Sequence, residues 1–181
     1  MPDRLYFTDS DESNQLIATD PMALLVGFAL DQQVTVQKAF DGPRVIKERL
    51  GSLDAGALAE ADLETAFCEK PAVHRYPAVM AKRVHNLAVH LLEQYDGDAE
   101  RVWTDATTSN ELRSNIAGLP GFGDMKIKSF GSVLFHQYGV SLAEDLVPWH
   151  PTLGDVNAPE DLADYQAQKR VHKKEWNKAT V

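Results

Sequence analysis

The chain has 181 residues, 44% of them hydrophobic, with a formal net charge of −9 and one cysteine. That length and apolar content suit one globular domain, or two small lobes, with a core of its own. One cysteine excludes an internal disulfide framework, and a charge of −9 argues against nucleic-acid binding through a broadly cationic surface.

The charge is unevenly spread. Acidic residues crowd the first segment (Asp3, Asp9, Asp11, Glu12, Asp20) and the stretch from Asp54 to Glu64. Basic residues gather at Lys82 with Arg83, at Lys126 with Lys128, and from Lys169 through Lys178. A local basic face can therefore coexist with an acidic exterior, although a solvated helix face accounts for each group equally simply. The opening MPDRLYFTDSDESNQ has no basic start followed by an apolar run, and no stretch reaches the ~18 apolar residues of a membrane span. The expected setting is soluble, cytoplasmic and nucleoid-associated.

In chain order the signals are helical, with no sustained period-2 alternation and no Asn-Gly or Asp-Gly hairpin turn. Residues 1–19 read as an N-terminal arm. Asp20-Pro21 is a cap and first-position proline opening MALLVGFALDQQ, an apolar helix for the core whose polar end is Asp31-Gln32-Gln33. A carboxylate at that end is expected to be paired unless a site uses it. A short helix at Val36–Phe40, a turn at Gly42-Pro43 and a helix closed by Gly51 follow. Short helices are expected at Leu53–Ala59 and Leu63–Glu69, with Cys68 as a small buried apolar residue.

Ala78–Tyr95 is the clearest helix, with Met80, Val84, Leu87, Leu91 and Tyr95 on one stripe. After a short helical piece near Arg101, Ser109, Leu112 and Ile116 mark one helix, and Ile127, Phe130, Leu134 and Tyr138 a second. Between them lies LPGFG, Leu119 to Gly123. A proline and two glycines one residue apart let the chain turn sharply and point successive N–H groups outward at a helix start, where an anion is favoured. Lys126 and Lys128 in that first turn are unfavourable for the helix dipole and suited to phosphate oxygens. A last helix runs from Pro159 to Trp176. The histidines show no HxxxH, and no CxxC occurs, so no catalytic metal is expected. His74-Arg75 lies on a loop that reaches a base or phosphate, or is a satisfied surface pair.

LPGFG between two helical stripes, with Leu24–Phe40 and Lys82–Trp103, resembles the helix-hairpin-helix, Gly/Pro-Asp (HhH-GPD) superfamily of base-excision DNA glycosylases. The resemblance spans most of the chain. It implies an all-α, two-lobed helical bundle: a hairpin lobe at about 35–145 and a second lobe from 20–34 and 146–181. Double-stranded DNA would lie across the cleft, Gly121, Phe122, Gly123, Lys126 and Lys128 gripping phosphate, Gln32 and Gln33 filling the gap left by a flipped base. Trp149 and His150 would line the base pocket. The family's catalytic aspartate falls nearest Asp145, with Asp31 and Asp155 as fallbacks.

The family's Schiff-base lysine position holds Met125. Lys126 is one residue on, rotated by ~100° around the helix, so strand cleavage is not expected. One cysteine cannot hold the four-cysteine iron–sulfur cluster of some relatives. No cofactor is implied beyond a monovalent cation on the hairpin carbonyls. The expectation is a monomeric, monofunctional glycosylase acting on a damaged base such as an alkylated purine. A structure-sensing DNA-binding protein that keeps the hairpin is the alternative, and a helical interaction protein without nucleic acid the third reading.

Overall fold

The computed structural model of the chain describes residues 1–176, and among them the regular structure is helical. Lys178, the end of the last basic group, lies outside the described residues. The N-terminal arm packs against the rest of the fold. Leu5 and Phe7 are buried ahead of helix α1 (Asp11–Thr19), which Ser10 caps by accepting from the Ser13 N–H at 3.2 Å. Burying Leu5, Phe7 and Ile17 ties the segment to the core, a gain that the acidic composition conceals.

Helix α2 (Pro21–Leu30) starts where Asp20 Oδ1 accepts from the N–H groups of Met22 (3.0 Å) and Ala23 (3.2 Å). Every residue from Met22 to Leu30 is buried. Helix α3 runs unbroken from Val36 to Leu50, through the expected turn at Gly42-Pro43. Proline inside a helix costs about 3 kcal/mol. Here Ala39, Phe40 and Ile46 bury one face, and Gly42 lets the helix close on Leu30, where a Cβ would come within 2.5 Å of Leu30 Cδ1. Burial of that face outweighs the missing hydrogen bond.

Helices α4 (Ala55–Glu60) and α5 (Leu63–Cys68) pack on α6 (Pro77–Tyr95). The core face of α5 is Leu63, Ala66 and Phe67. Cys68 falls beyond it and is exposed, contrary to the expectation of a buried thiol. Helices α7 (Arg101–Thr104), α8 (Ser109–Gly118), α9 (Asp124–Tyr138) and α10 (Pro159–Trp176) complete the series, with 3₁₀ turns at Ser141–Leu146 and Leu153–Asp155. The fold class is all-α, and α8 and α9 are joined by the tight turn at Leu119–Gly123. The buried side chains form one connected core, from Leu5 to Trp176. Phe28 knits its centre, its ring 5.1 Å from both Phe40 and Phe130 and 6.5 Å from Phe122.

Both 3₁₀ turns lie against α9 because glycines admit them. A Cβ on Gly131 would stand 2.4 Å from Leu146 Cβ, and one on Gly154 would stand 2.5 Å from the carbonyl of Ser132. The second contact is with helix backbone and cannot relax by a rotamer change. Gly154→Ala is expected to destabilise the protein by about 1–3 kcal/mol or more in urea unfolding. Gly56→Ala, in open space on α4, is expected to be neutral or to stabilise by up to about 1 kcal/mol.

Candidate functional site

The carbonyls at the end of a buried helix need donors. His74 Nε2–H supplies one to Leu30 O at 3.1 Å and Gln32 O at 3.0 Å, and its Nδ1 accepts from the Tyr76 N–H at 3.0 Å. That pattern fixes the tautomer. Burial pushes the His74 pKa down, ahead of the two backbone carbonyls that raise it, so the ring is neutral at pH 7. His74 is therefore a buried clamp on the chain, not a loop residue reaching for DNA. Below it Gln33 takes a left-handed conformation (φ 56°), a strained choice for a non-glycine residue, and Gln32 and Gln33 are exposed.

Across from this corner, the Leu119–Gly123 turn is closed by Phe122 N–H donating to Leu119 O at 3.1 Å. The Phe122 ring is buried against Phe28 and Phe130, while Gly121 (φ 80°) and Gly123 are exposed. Gly123 is the N-cap of α9 and supplies no side-chain cap; the first backbone bond of the helix is Ile127 N–H to Gly123 O at 3.0 Å. The first-turn amides thus have no intrahelical acceptor.

Arg83 of α6 joins the two corners. It lies where a Cβ on Gly121 would meet its Nε at 2.9 Å, and its guanidinium donates to the Gln32 side-chain oxygen. The Asp124 carboxylate pairs with Arg113 and with Lys128, each at 2.9 Å, and these bonds, that of Lys128 first, hold its pKa below the usual range. Lys128, expected on phosphate, is thus engaged within its own helix. The turn carbonyls of Ile116 and Leu119 each accept one N–H and keep a second lone pair.

Between the end of α2, the first turns of α9 and the helix α10 lies a cleft of about 190 Å³. Its apolar walls are Phe28, Met125, Tyr165 and Trp176, and its charged groups are Asp31, Lys126 and Lys169. Asp31 is partly open to the cleft, yet protein crowds its carboxylate. Desolvation raises its pKa, against the weaker pull of Lys169 and then Lys126, which act through space. The Lys126 ammonium donates to Ala29 O at 3.3 Å and lies 5.7 Å from the centre of the Phe122 ring. Burial, with Arg83 adding repulsion, lowers its pKa to about 8. For Lys169 burial acts downward, but Tyr165 and Asp31 outweigh it and the pKa is raised.

The other predicted residues divide between the cleft and other parts of the surface. Asp145 is exposed on the 3₁₀ turn Ser141–Leu146, whose inward residues are Ala143 and Leu146, and it does not line the cleft. The Asp155 carboxylate is occupied as a cap, accepting from Thr152 N–H at 2.8 Å and Thr152 Oγ1 at 3.2 Å. Trp149 is 66% exposed, whereas His150 is buried, lines the cleft and stacks on Trp176 with centroids 4.8 Å apart. Lys126 reaches the cleft despite its rotation around α9. Tyr165, Trp176 and the role of Arg83 carry no site signal in the sequence, where Tyr165 and Trp176 read only as part of the last helix; the basic run that includes Lys169 is the one signal for that residue. Among the described residues no cluster of His, Cys, Asp or Glu suits a metal, and no helix is long and apolar enough to cross a membrane.

Compared with models of known protein families, with curated proteins and with solved structures, the chain matches none.

Two of the shifted groups, Asp31 and Lys126, oppose folding. The folded-state pKa of Asp31 lies above its unfolded value, so stability falls as pH rises from the unfolded value through the folded one, and the penalty is complete above the latter. Asp31→Asn is expected to raise the melting temperature at pH 7, with the gain shrinking toward pH 4. For Lys126 the penalty is complete below about pH 8 and fades as pH rises toward 10.5. Lys126→Met is accordingly expected to stabilise at pH 7 and to lose that advantage between pH 8 and 10.5. Thermal unfolding across pH checks both signs.

Proposed function

We propose that the chain is a monofunctional DNA glycosylase of the HhH-GPD type. The observation that carries this reading is Asp31: a desolvated carboxylate without a hydrogen-bonding partner among the described residues, in a cleft beside an exposed glycine turn and two exposed glutamines. Breaking an N-glycosidic bond builds positive charge on the sugar, and a preorganised carboxylate at C1′ stabilises it and orients water. Asp31, rather than Asp145 or Asp155, takes that role. The amides of Gly123 and the α9 first turn, without acceptors among the described residues, receive a phosphate, with Arg83 beside them. In this reading the exposed Gln32 and Gln33 fill the space left by an extruded nucleotide.

Lys126 favours a second reading. An amine with a pKa of about 8 in the cleft is available as a nucleophile toward a sugar aldehyde, which would add strand cleavage to base release. A structure-sensing DNA-binding protein would keep the turn and have no use for a desolvated carboxylate.

Three measurements separate these. In single-turnover assays on lesion-bearing duplexes, Asp31→Asn is expected to lower base release by about 10²–10³-fold, while Asp145→Asn stays close to the native rate. Duplex affinity is expected to fall with salt and to weaken when Gly121 or Gly123 becomes valine. Borohydride is expected to trap no protein–DNA adduct; an adduct at Lys126 would establish the second reading. Salt-dependent binding with no base released would favour the non-catalytic alternative, and the absence of both would leave a helical protein without nucleic acid.

A further inference from the structure

The charged groups of the cleft bear on which base could occupy it. Two ammonium groups, Lys126 from α9 and Lys169 from α10, line a cavity that contains one carboxylate. Lys126 Nζ uses one proton on Ala29 O and has two more to give. Lys169 lies 5.5 Å from the centre of the Tyr165 ring, within the same wall. A cationic base would replace its hydration with two like charges in a crowded site. A neutral ring with carbonyl oxygens would meet donors instead.

The chemistry of the leaving group points the same way. An N-alkylated purine already carries positive charge and departs as a neutral molecule. A neutral base departs with the electron pair of the broken C1′–N bond and needs a proton or strong donors to accommodate it.

We infer that the cleft takes an uncharged, carbonyl-bearing base, such as a deaminated one, and that Lys126 acts as the general acid on that base while Asp31 faces the sugar. This rests on the glycosylase reading. In the step, the C1′–N bond breaks and its electron pair stays on the base, which takes a proton from the Lys126 ammonium. Water adds to C1′ and gives a proton to Asp31, and solvent returns it to Lys126. The groups facing Lys126 are Asp31 at the end of α2, Arg83 of α6, and Tyr165 and Lys169 of α10, with His150 on the opposite loop.

The test uses the full chain and duplexes carrying a single uracil, hypoxanthine or 7-methylguanine, with single-turnover release as the readout. Release of uracil or hypoxanthine is expected to exceed that of 7-methylguanine. Lys126→Met is expected to slow release of the neutral bases by about 10²-fold, and circular dichroism shows whether the variant is folded. The native rate is expected to fall as pH rises past about 8, the lysine value given above, and Lys126→Met to lose that limb. Should the variant not fold, the native pH profile and base preference decide alone. Release of 7-methylguanine in preference to both neutral bases would overturn the inference and leave the glycosylase reading standing. Release of none of the three would overturn it too, and a wider lesion panel then judges the glycosylase reading by itself.

Discussion

Helix α2 has no face to give to water, and the site depends on that. A helix buried on all sides must end somewhere, and its last carbonyls carry partial negative charge into the protein with no intrahelical donors to meet them. Two side chains meet them here: Lys126 donates to Ala29 O, and His74 donates to Leu30 O and Gln32 O. The chain then turns at Asp31 into two exposed glutamines. Satisfying one helix end thus brings a lysine from α9 beside a carboxylate that follows α2, and the cleft is formed around the two.

The cost of that arrangement is electrostatic. Desolvation works against the charged forms of both Asp31 and Lys126, and neither is rescued by a direct ion pair among the described residues. A chain under selection for stability alone would neutralise or pair them. The core around them shows no such compromise, with Phe28, Phe40 and Phe130 interlocked edge to face. Local strain set in a well-packed frame is the usual signature of a site in use. The overall charge of −9 does not oppose it, because the acidic residues crowd the first segment and α4–α5 while Arg83, Lys126 and Lys169 converge on the cleft and the turn.

Periodicity carried most of the helices, because α6, α8, α9 and α10 each have the stripe or caps that mark them in one dimension. It failed where tertiary packing overrode a local rule. Pro43 reads as a break, and only the closeness of Gly42 to Leu30 shows why α3 continues. The first segment reads as a tail because two buried residues, Leu5 and Phe7, sit in a polar neighbourhood. The site was half legible: Asp31 and the glutamines stood out as a polar end on an apolar helix. Asp145 is expected from its distance along the chain, which carries no information on which side of a 3₁₀ turn faces the core; Ala143 and Leu146 face inward and Asp145 faces solvent. Lys126 is expected on phosphate, with helical rotation excluding it only as a Schiff-base lysine, yet its four-carbon side chain reaches the cleft and the Ala29 carbonyl. Tyr165 and Trp176 could not be found, since a pocket wall contributed by a distant helix leaves no local pattern.

The two glycines of the turn have different reasons. Gly121 is required by the fold itself: its φ of 80° disfavours any side chain, and Arg83 occupies the space where a Cβ would go. Gly123 has neither excuse. Its φ of −84° suits any residue, and nothing lies within 4 Å of the Cβ it lacks. Serine, threonine or aspartate at an N-cap would occupy the first-turn amides of α9 and stabilise the helix by about 1 kcal/mol. Glycine there leaves those amides bare and the approach to them unobstructed. Folding gains nothing from this choice, so its use is to be sought in a group that comes to the backbone from outside, and an anion is what a row of unpaired N–H donors at a helix start would hold.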